Sequence, residues 1–315
     1  MPASTGRWLG FPLPGEGREH EDDASMENDR RPGEDAAQAD HIHFRVDPRT
    51  TLAVLTGHRR RFGSTVATLT VDELAAPSRC RGWTVADVLR HLVWVDATMG
   101  RLWAGDESPV EGFDPRTTPD ESVRADRAVP DEEFQRRYLS STEAMIVELE
   151  SADAPGFGRP SLSPAGRVPW WMSVMHLGWD STVHERDVLA PLGRTVDAVP
   201  GEAQLCLGYS LVLASLFDRK GPLNVRIGTT RLRRDGGPVT VEATDAGPDL
   251  EGADDGTVVL TGDPVATVDA LCGRGSLTDA LSGDAAVIGR LDGLARYFAA
   301  GGQSPGQVVR ARRRR

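Results

Sequence analysis

Apolar residues recur at helical spacing through the first half of the chain. Leu52, Leu55, Phe62 and Val66 fall near one face of a helix expected from Pro48 to about Leu69. Asp72–Leu74 and Pro77–Trp83 read as a connection. Thr84 then offers an N-cap, with Asp87 three residues later as an acidic first-turn residue that suits the helix dipole. The helix it opens, Val85 to about Trp103, places Val88, His91, Leu92, Val95 and Met99 on neighbouring turns. A third helix is expected over Asp131–Leu149. A fourth runs over Trp170–Leu189, after a Gly/Pro/Ser-rich loop spanning Ser151–Pro169. Four such helices form a bundle, in which facing side chains can build an interior site.

The period changes beyond a boundary at Leu189–Val199, punctuated by Pro191, Gly193 and Pro200. Gln204–Phe217 reads as a helix. Pro222–Ile227, Val239–Ala243 and Thr257–Leu260 are short β-branched runs, and Val265–Leu271 and Ala285–Phe298 are helical. Helix, strands, then helices predict a small α+β domain. No G-x-G-x-x-G follows a strand, which argues against a dinucleotide site.

Composition adds boundaries and exclusions. Residues 1–47 are rich in Gly, Pro, Asp, Glu and Arg without apolar periodicity. Such a segment buries too little surface to offset its ordering entropy and is expected to be disordered. Arg310 and Arg312–Arg315 make a basic, solvated tail. The expected organisation is therefore a disordered segment 1–47, a helical bundle 48–194, an α+β domain 195–302 and a tail 303–315. A net charge of −11 argues against nucleic acid or an anionic membrane as partner of the folded body. No apolar run approaches the roughly 18 residues of a bilayer span, and the start lacks a signal-peptide layout, so a cytoplasmic location is expected. Lys220 is the only lysine and stands in no P-loop context. Cys80, Cys206 and Cys272 lie far apart with no C-x-x-C pair, and read as reduced core thiols.

The candidate chemistry lies in Met175–Asp187, MHLGWDSTVHERD, where His176, Asp180 and His184 follow at four-residue intervals. Residues four apart share a helix face about one turn apart, so Asp180 and His184 can grip one cation from the same side. His91, from another helix, would be the third ligand. Three protein ligands leave a tetrahedral ion one open position, as in catalytic zinc. His176 is open to three readings: a fourth ligand, a partner behind the ligands, or plain surface, with the second preferred. Asp87, one turn before His91, is a candidate to orient that imidazole or an ordinary first-turn residue. The tryptophans near these motifs, Trp83, Trp94, Trp170, Trp171 and Trp179, read as core packing.

Two stretches carry a family resemblance. Ser78-Arg-Cys-Arg-Gly-Trp-Thr-Val-Ala-Asp-Val-Leu-Arg-His91 resembles the C-x-G-W-T-V-x-D-V-L-x-H-L signature of the mycothiol-dependent maleylpyruvate isomerase family, and Val183-His-Glu-Arg-Asp187 resembles its V-H-x-x-D helix. Leu271-Cys-Gly-Arg274 is similar to the family's L-x-G-R segment. The resemblance covers about residues 48–300. It implies an α+β protein with an N-terminal DinB-like four-helix bundle and a small sterol-carrier-like α+β domain. It also implies metal ligands at His91, Asp180 and His184, with Asp180 standing where the family usually has Glu. The implied cofactors are a divalent ion, zinc foremost, with mycothiol as co-substrate. The implied function is thiol-using isomerase or S-transferase chemistry on a small molecule. Arg274 is then a candidate anchor for a substrate carboxylate, or equally a salt-bridge arginine. The competing function is a non-catalytic metal-binding protein or sensor whose C-terminal domain holds an apolar ligand or partner.

Overall fold

A computed structural model describes residues 42–299, apart from 111–112, 116, 165, 197–198, 219, 237 and 244–255. The chain opens with β1 (Ile42–Arg45), α1 (Pro48–Val66), the short α2 (Val71–Ala75), α3 (Val85–Trp103), α4 (Thr118–Asp126) and α5 (Asp131–Ser151). A one-turn α6 (Ala154–Phe157) precedes a hairpin of β2 (Pro160–Ser163) and β3 (Gly166–Pro169), and α7 (Trp170–Leu189) follows. The second half holds α8 (Pro200–Phe217), β4 (Leu223–Ile227), β5 (Thr230–Arg234), β6 (Val239–Ala243), β7 (Val258–Leu260), α9 (Pro264–Leu271), α10 (Leu277–Ala280) and α11 (Ala285–Ala299).

Four long helices close a ring, with α3 against α5, α5 against α1, α1 against α7 and α7 back against α3. One core of the bundle gathers Phe62, Val66, Val85, Leu89 and Tyr138. A second gathers Leu55, Val95, Met99, Trp170 and Leu177. Buried between them, Arg59 of α1 makes two hydrogen bonds, at 2.8 and 3.0 Å, to the Asp96 carboxylate of α3. Desolvating both charges is costly, and the bidentate geometry is what makes such a pair tolerable.

The other half is a five-stranded sheet in the order β1-β6-β5-β4-β7, antiparallel except for the outer pairs β1/β6 and β4/β7. Alternating burial along β4 turns Leu223, Val225 and Ile227 toward α8, α9 and α11. The fold class is thus as expected: an α+β chain with a helical bundle followed by a small α+β unit.

α7 belongs to both halves. Fifteen of its twenty residues are buried, so the helix is enclosed nearly all round rather than along one stripe, with Ser173, Ser181, Thr182, His184, Glu185 and Asp187 among the buried residues. Met172, Met175, Trp179 and Val183 face the sheet-side core, whereas Trp170, Val174 and Leu177 face the bundle. The Trp179 indole donates to Ser210 of α8 at 2.8 Å. Beside it, Arg61 of α1 donates to both Glu185 of α7 (2.7 Å) and Glu202 of α8 (3.0 Å).

Local readings needed correction in four places. The expected disorder over 1–47 ends too late, because Ile42–Arg45 forms β1, parallel to β6 with Phe44 buried. Its stabilising partner lies about two hundred residues away, beyond any local periodicity. Residues 1–41 and the arginine tail lie outside the described residues. The Ser151–Pro169 loop contains α6 and a hairpin. Val71–Ala75 in the expected connection is a helix, closed by a capping box between Thr70 and Glu73. Finally, β5 and α4 were not expected, since TRLRR and TPDESVRAD carry too few apolar positions to show a period.

Candidate metal centre

The beginning of α3 is fixed by a reciprocal cap. Thr84 Oγ1 accepts the Asp87 N–H (3.1 Å), while an Asp87 carboxylate oxygen accepts the Thr84 N–H (3.2 Å). This sets the helix phase, so His91 arrives on the second turn, buried, facing α7. On α7, Asp180 and His184 stand one turn apart on the side that meets it.

His91, Asp180 and His184 come together with their ligand atoms all within 4.8 Å of one another. His91 Nε2 lies 3.6 Å from Asp180 Oδ2, and His184 Nε2 lies 3.6 Å from Asp180 Oδ1. These separations are too long for good hydrogen bonds. They are close to the ~3.4 Å between ligand atoms that bonds of about 2.1 Å to a tetrahedral ion require. Asp180 Oδ2 is buried without a hydrogen-bond partner, an arrangement costly for a carboxylate unless a cation completes it. The donor set fits a divalent ion such as zinc.

Electrostatics separates the two imidazoles. Burial lowers the pKa of His91, and the attraction of Asp180 only partly offsets this. Burial acts against His184 too, but Asp180, Cys80 and Asp187 together raise its pKa well above the usual value. Burial alone would raise the Asp180 pKa, yet His184 and His91 hold it well below the ordinary carboxylate range. An ion would take the place of a proton here, so its binding should weaken in acid.

Behind His184 lies a network that the sequence reading did not find. His184 Nδ1 is 3.0 Å from Asp187 Oδ2, which turns Nε2 toward Asp180. A carboxylate behind a ligand imidazole in this way fixes its tautomer and raises its basicity. The same Asp187 oxygen accepts the Cys80 thiol at 3.1 Å and Arg274 Nη2 at 2.6 Å. Cys80 Sγ is itself 3.6 Å from His184 Nδ1, and Cys80, His184 and Asp187 form a second close group of potential ligands. A three-residue step from His184 to Asp187 is a same-face signal that the sequence did contain. Nothing in the sequence brought Cys80 there. It is half-buried, whereas Cys206 and Cys272 are core thiols as expected.

Two expected roles change. Asp87 does not reach His91. Its carboxylate is taken by the Thr84 cap, Arg90 and Arg127, and His91 Nδ1 is buried without a partner. Arg274 is engaged already, with Nε and Nη2 on Asp187 and Nη1 on the Cys272 carbonyl at 2.6 Å. It reaches the centre through Asp187 rather than as an open carboxylate anchor. His176 stays outside the close group of three, stacked on Trp179 with ring centroids 5.8 Å apart. Burial lowers its pKa to about 4.

His58, Glu185 and Glu202 form a further buried group that could bracket a cation. The Arg61 guanidinium already lies within bonding distance of all three, so the charge a metal would bring is supplied by the chain.

The three ligand candidates open onto a cavity of about 390 Å³, bounded by Trp83, Trp94, Phe113, Trp179, Arg274 and Phe298 among others. That volume is within the range of small-molecule sites. α11 supplies Phe298 and the segment after α9 supplies Arg274, so both halves of the chain wall it.

Comparison with known proteins gives a consistent result. Residues 55–189 match the family model of the mycothiol maleylpyruvate isomerase N-terminal domain. Two uncharacterized proteins from strains of Mycobacterium tuberculosis are each 29% identical over 150 residues, covering 46% of this chain and 71% of theirs. A crystal structure of the mycothiol-dependent maleylpyruvate isomerase aligns with a TM-score of 0.51 at 16% identity. The alignment covers 75% of this chain and 92% of that one, a likeness of fold. Through residues 55–189, which carry His91, Asp180 and His184, the chain is similar to the mycothiol maleylpyruvate isomerase N-terminal domain family.

Proposed function

We propose that the protein is a metal-dependent enzyme of the cytoplasm that uses mycothiol on a small electrophile, as an isomerase or an S-transferase. Its bundle, 48–194, would bear the ion, and its α+β domain, 195–302, would close the cavity. The observation that carries this reading is the convergence of His91, Asp180 and His184 at a cavity of small-molecule size. When bound, a divalent ion, zinc by donor set, lowers the pKa of a coordinated thiol so that thiolate is present at neutral pH.

The chain's own groups do the rest. Asp187 holds the His184 proton on Nδ1 and leaves Nε2 as donor. Arg274 and Arg79 balance the Asp187 charge, and the aromatic walls exclude water. A thiolate in this cavity adds to a conjugated double bond, permits rotation and leaves, or is transferred outright to an electrophile.

Elemental analysis of the purified protein tests the reading, followed by chelation, reloading and titration with mycothiol. About one divalent ion per chain is expected, lost in His91→Ala and His184→Ala, with thiol binding that depends on it. A protein that neither retains nor regains an ion would remove the proposal.

A further inference from the structure

The cavity also bears on what the thiol would attack. Six aromatic side chains line it, Trp83, Trp94, Phe113, Trp179, Tyr297 and Phe298, in a chain that is only 6% aromatic. They arrive from five separate parts of the fold. Trp94 and Phe113 stack nearly parallel, with ring centroids 6.1 Å apart and planes at 11°. The indole N–H groups of Trp83 and Trp179 are committed to Asp120 (2.7 Å) and Ser210 (2.8 Å). These two rings therefore offer π faces rather than donors.

The cations along the same wall are mostly spoken for. Arg274 is bonded through all three nitrogens, and Arg79 is held by Asp187 and Asp269 at 3.2 and 2.8 Å. Arg79 Nη2 has no partner but is itself buried, so a ligand reaches it only if the arginine leaves its carboxylates. Arg81 is exposed at the rim. Maleylpyruvate carries a carboxylate at each end. A dianion of that kind would enter an aromatic cavity whose Arg79 and Arg274 are already held by carboxylates and in which Asp120 adds negative charge, and a charge moved out of water without a partner is strongly penalised.

We infer that the electrophile accepted here is an uncharged molecule with a flat aromatic or comparable apolar group, and that the reaction is S-transfer rather than isomerisation of a dicarboxylate. The inference rests on the metal and thiol reading above. With a chloroarene as model, the thiol sulfur bonds to the ring carbon bearing chlorine. The C–Cl bond breaks, chloride leaves with the electron pair, and the thiol proton passes to solvent.

The test uses the full chain, metal-loaded and metal-free. Binding of dinitrobenzene and of dinitrobenzoate is read by quenching of tryptophan fluorescence. Turnover of mycothiol with chlorodinitrobenzene and with chlorodinitrobenzoate is each divided by its uncatalysed rate. Dinitrobenzene should bind at least about tenfold more tightly than its carboxylated counterpart, and the turnover ratio should follow. Trp94→Ala should weaken neutral binding about 2- to 10-fold. Trp94→Leu, which keeps apolar bulk, should remain folded and also bind less well.

Equal or tighter binding of dinitrobenzoate, above all if Arg79→Ala or Arg81→Ala abolishes it, overturns the inference, as does turnover of maleylpyruvate in preference to the neutral arene. If dinitrobenzene binds with the stated preference but no electrophile reacts with thiol, the proposed function fails while the ligand class stands. If thiol turnover occurs but favours the carboxylated arene, the function stands and this inference fails.

Discussion

Replacing Asp187 with Asn tests the network behind the candidate ligands with almost no change of shape. The carboxylate accepts five contacts: His184 Nδ1, the Cys80 thiol and Arg274 Nη2 on Oδ2, and Arg274 Nε and Arg79 Nε on Oδ1. Asn has one acceptor oxygen. Placed at the Oδ2 position, it turns its NH₂ toward two guanidinium nitrogens. Placed at the Oδ1 position, it turns its NH₂ toward the imidazole, the thiol and Arg274. Asp187 is fully buried, so the orphaned donors are poorly rescued by water. Removing one partner of a buried charged cluster costs about 3–5 kcal/mol. That is a large share of the ~5–15 kcal/mol by which domains are stable, but not all of it. Loss of the carboxylate behind a ligand imidazole should also weaken metal binding about 10- to 100-fold. Urea unfolding of the metal-free protein reads the first quantity, and competition with a chelating dye at neutral pH reads the second. A variant that unfolds at the wild-type midpoint and binds metal within about twofold of wild type would refute the argument that Asp187 orients His184.

Acid should act partly through Glu202. Burial alone would raise its pKa, but His58 and Arg61 bring it down to about 2. Because the folded value lies below the unfolded one, this group stabilises above pH ~4.5. That contribution, about 3 kcal/mol, is lost as pH falls toward 2. Glu202→Gln should therefore be less stable at neutral pH and show a shallower loss of stability between those values, measured by denaturant titration. An unchanged slope would contradict the pairing. A Cβ on Gly208 would sit 2.6 Å from Phe44 and 3.2 Å from Val241, so Gly208→Ala should cost about 1–3 kcal/mol in unfolding experiments; no cost would mean that β1 is not docked as described. Burial raises the Cys206 and Cys272 pKa values to about 12. Iodoacetamide on the native protein should label Cys80 well before the other two, as read by peptide mass mapping. Labelling at equal rates would remove Cys80 from the cavity wall.

The long helices were legible because each repeats its apolar residues over four or more turns. Trp170–Leu189 has the same bounds in sequence and structure. Asp180 and His184 were legible for the same reason, since one helical turn fixes their relation without help from the rest of the molecule. His91 was legible as a third imidazole in a second helical stretch, and the motif around Thr84 added to it. What escaped was set by distant partners. β1 has only four residues and no local reason to be a strand. Cys80 meets His184 across 104 residues, because the loop before α3 folds back over α7. Arg274 read equally as anchor or salt bridge until Asp187 was seen beside it, and Asp87 looked well placed for His91 until Arg90 and Arg127 were found on it. Charged side chains choose partners in three dimensions, and spacing along one helix constrains only a few of the choices.

The pairing of Ile42–Arg45 with Val239–Glu242 has a consequence for how the chain is made. Of the strands, β1 at one edge of the sheet leaves the ribosome before the rest, yet its neighbour follows nearly two hundred residues later. At ~5–20 residues per second, that is a delay of roughly 10–40 s. Through that interval Ile42–Arg45 lacks the β6 backbone it pairs with, while the helices translated after it can already assemble. The nascent protein thus carries an unpaired β segment ahead of its helices, a point where chaperone capture or strand exchange between neighbouring copies would act before the sheet is complete.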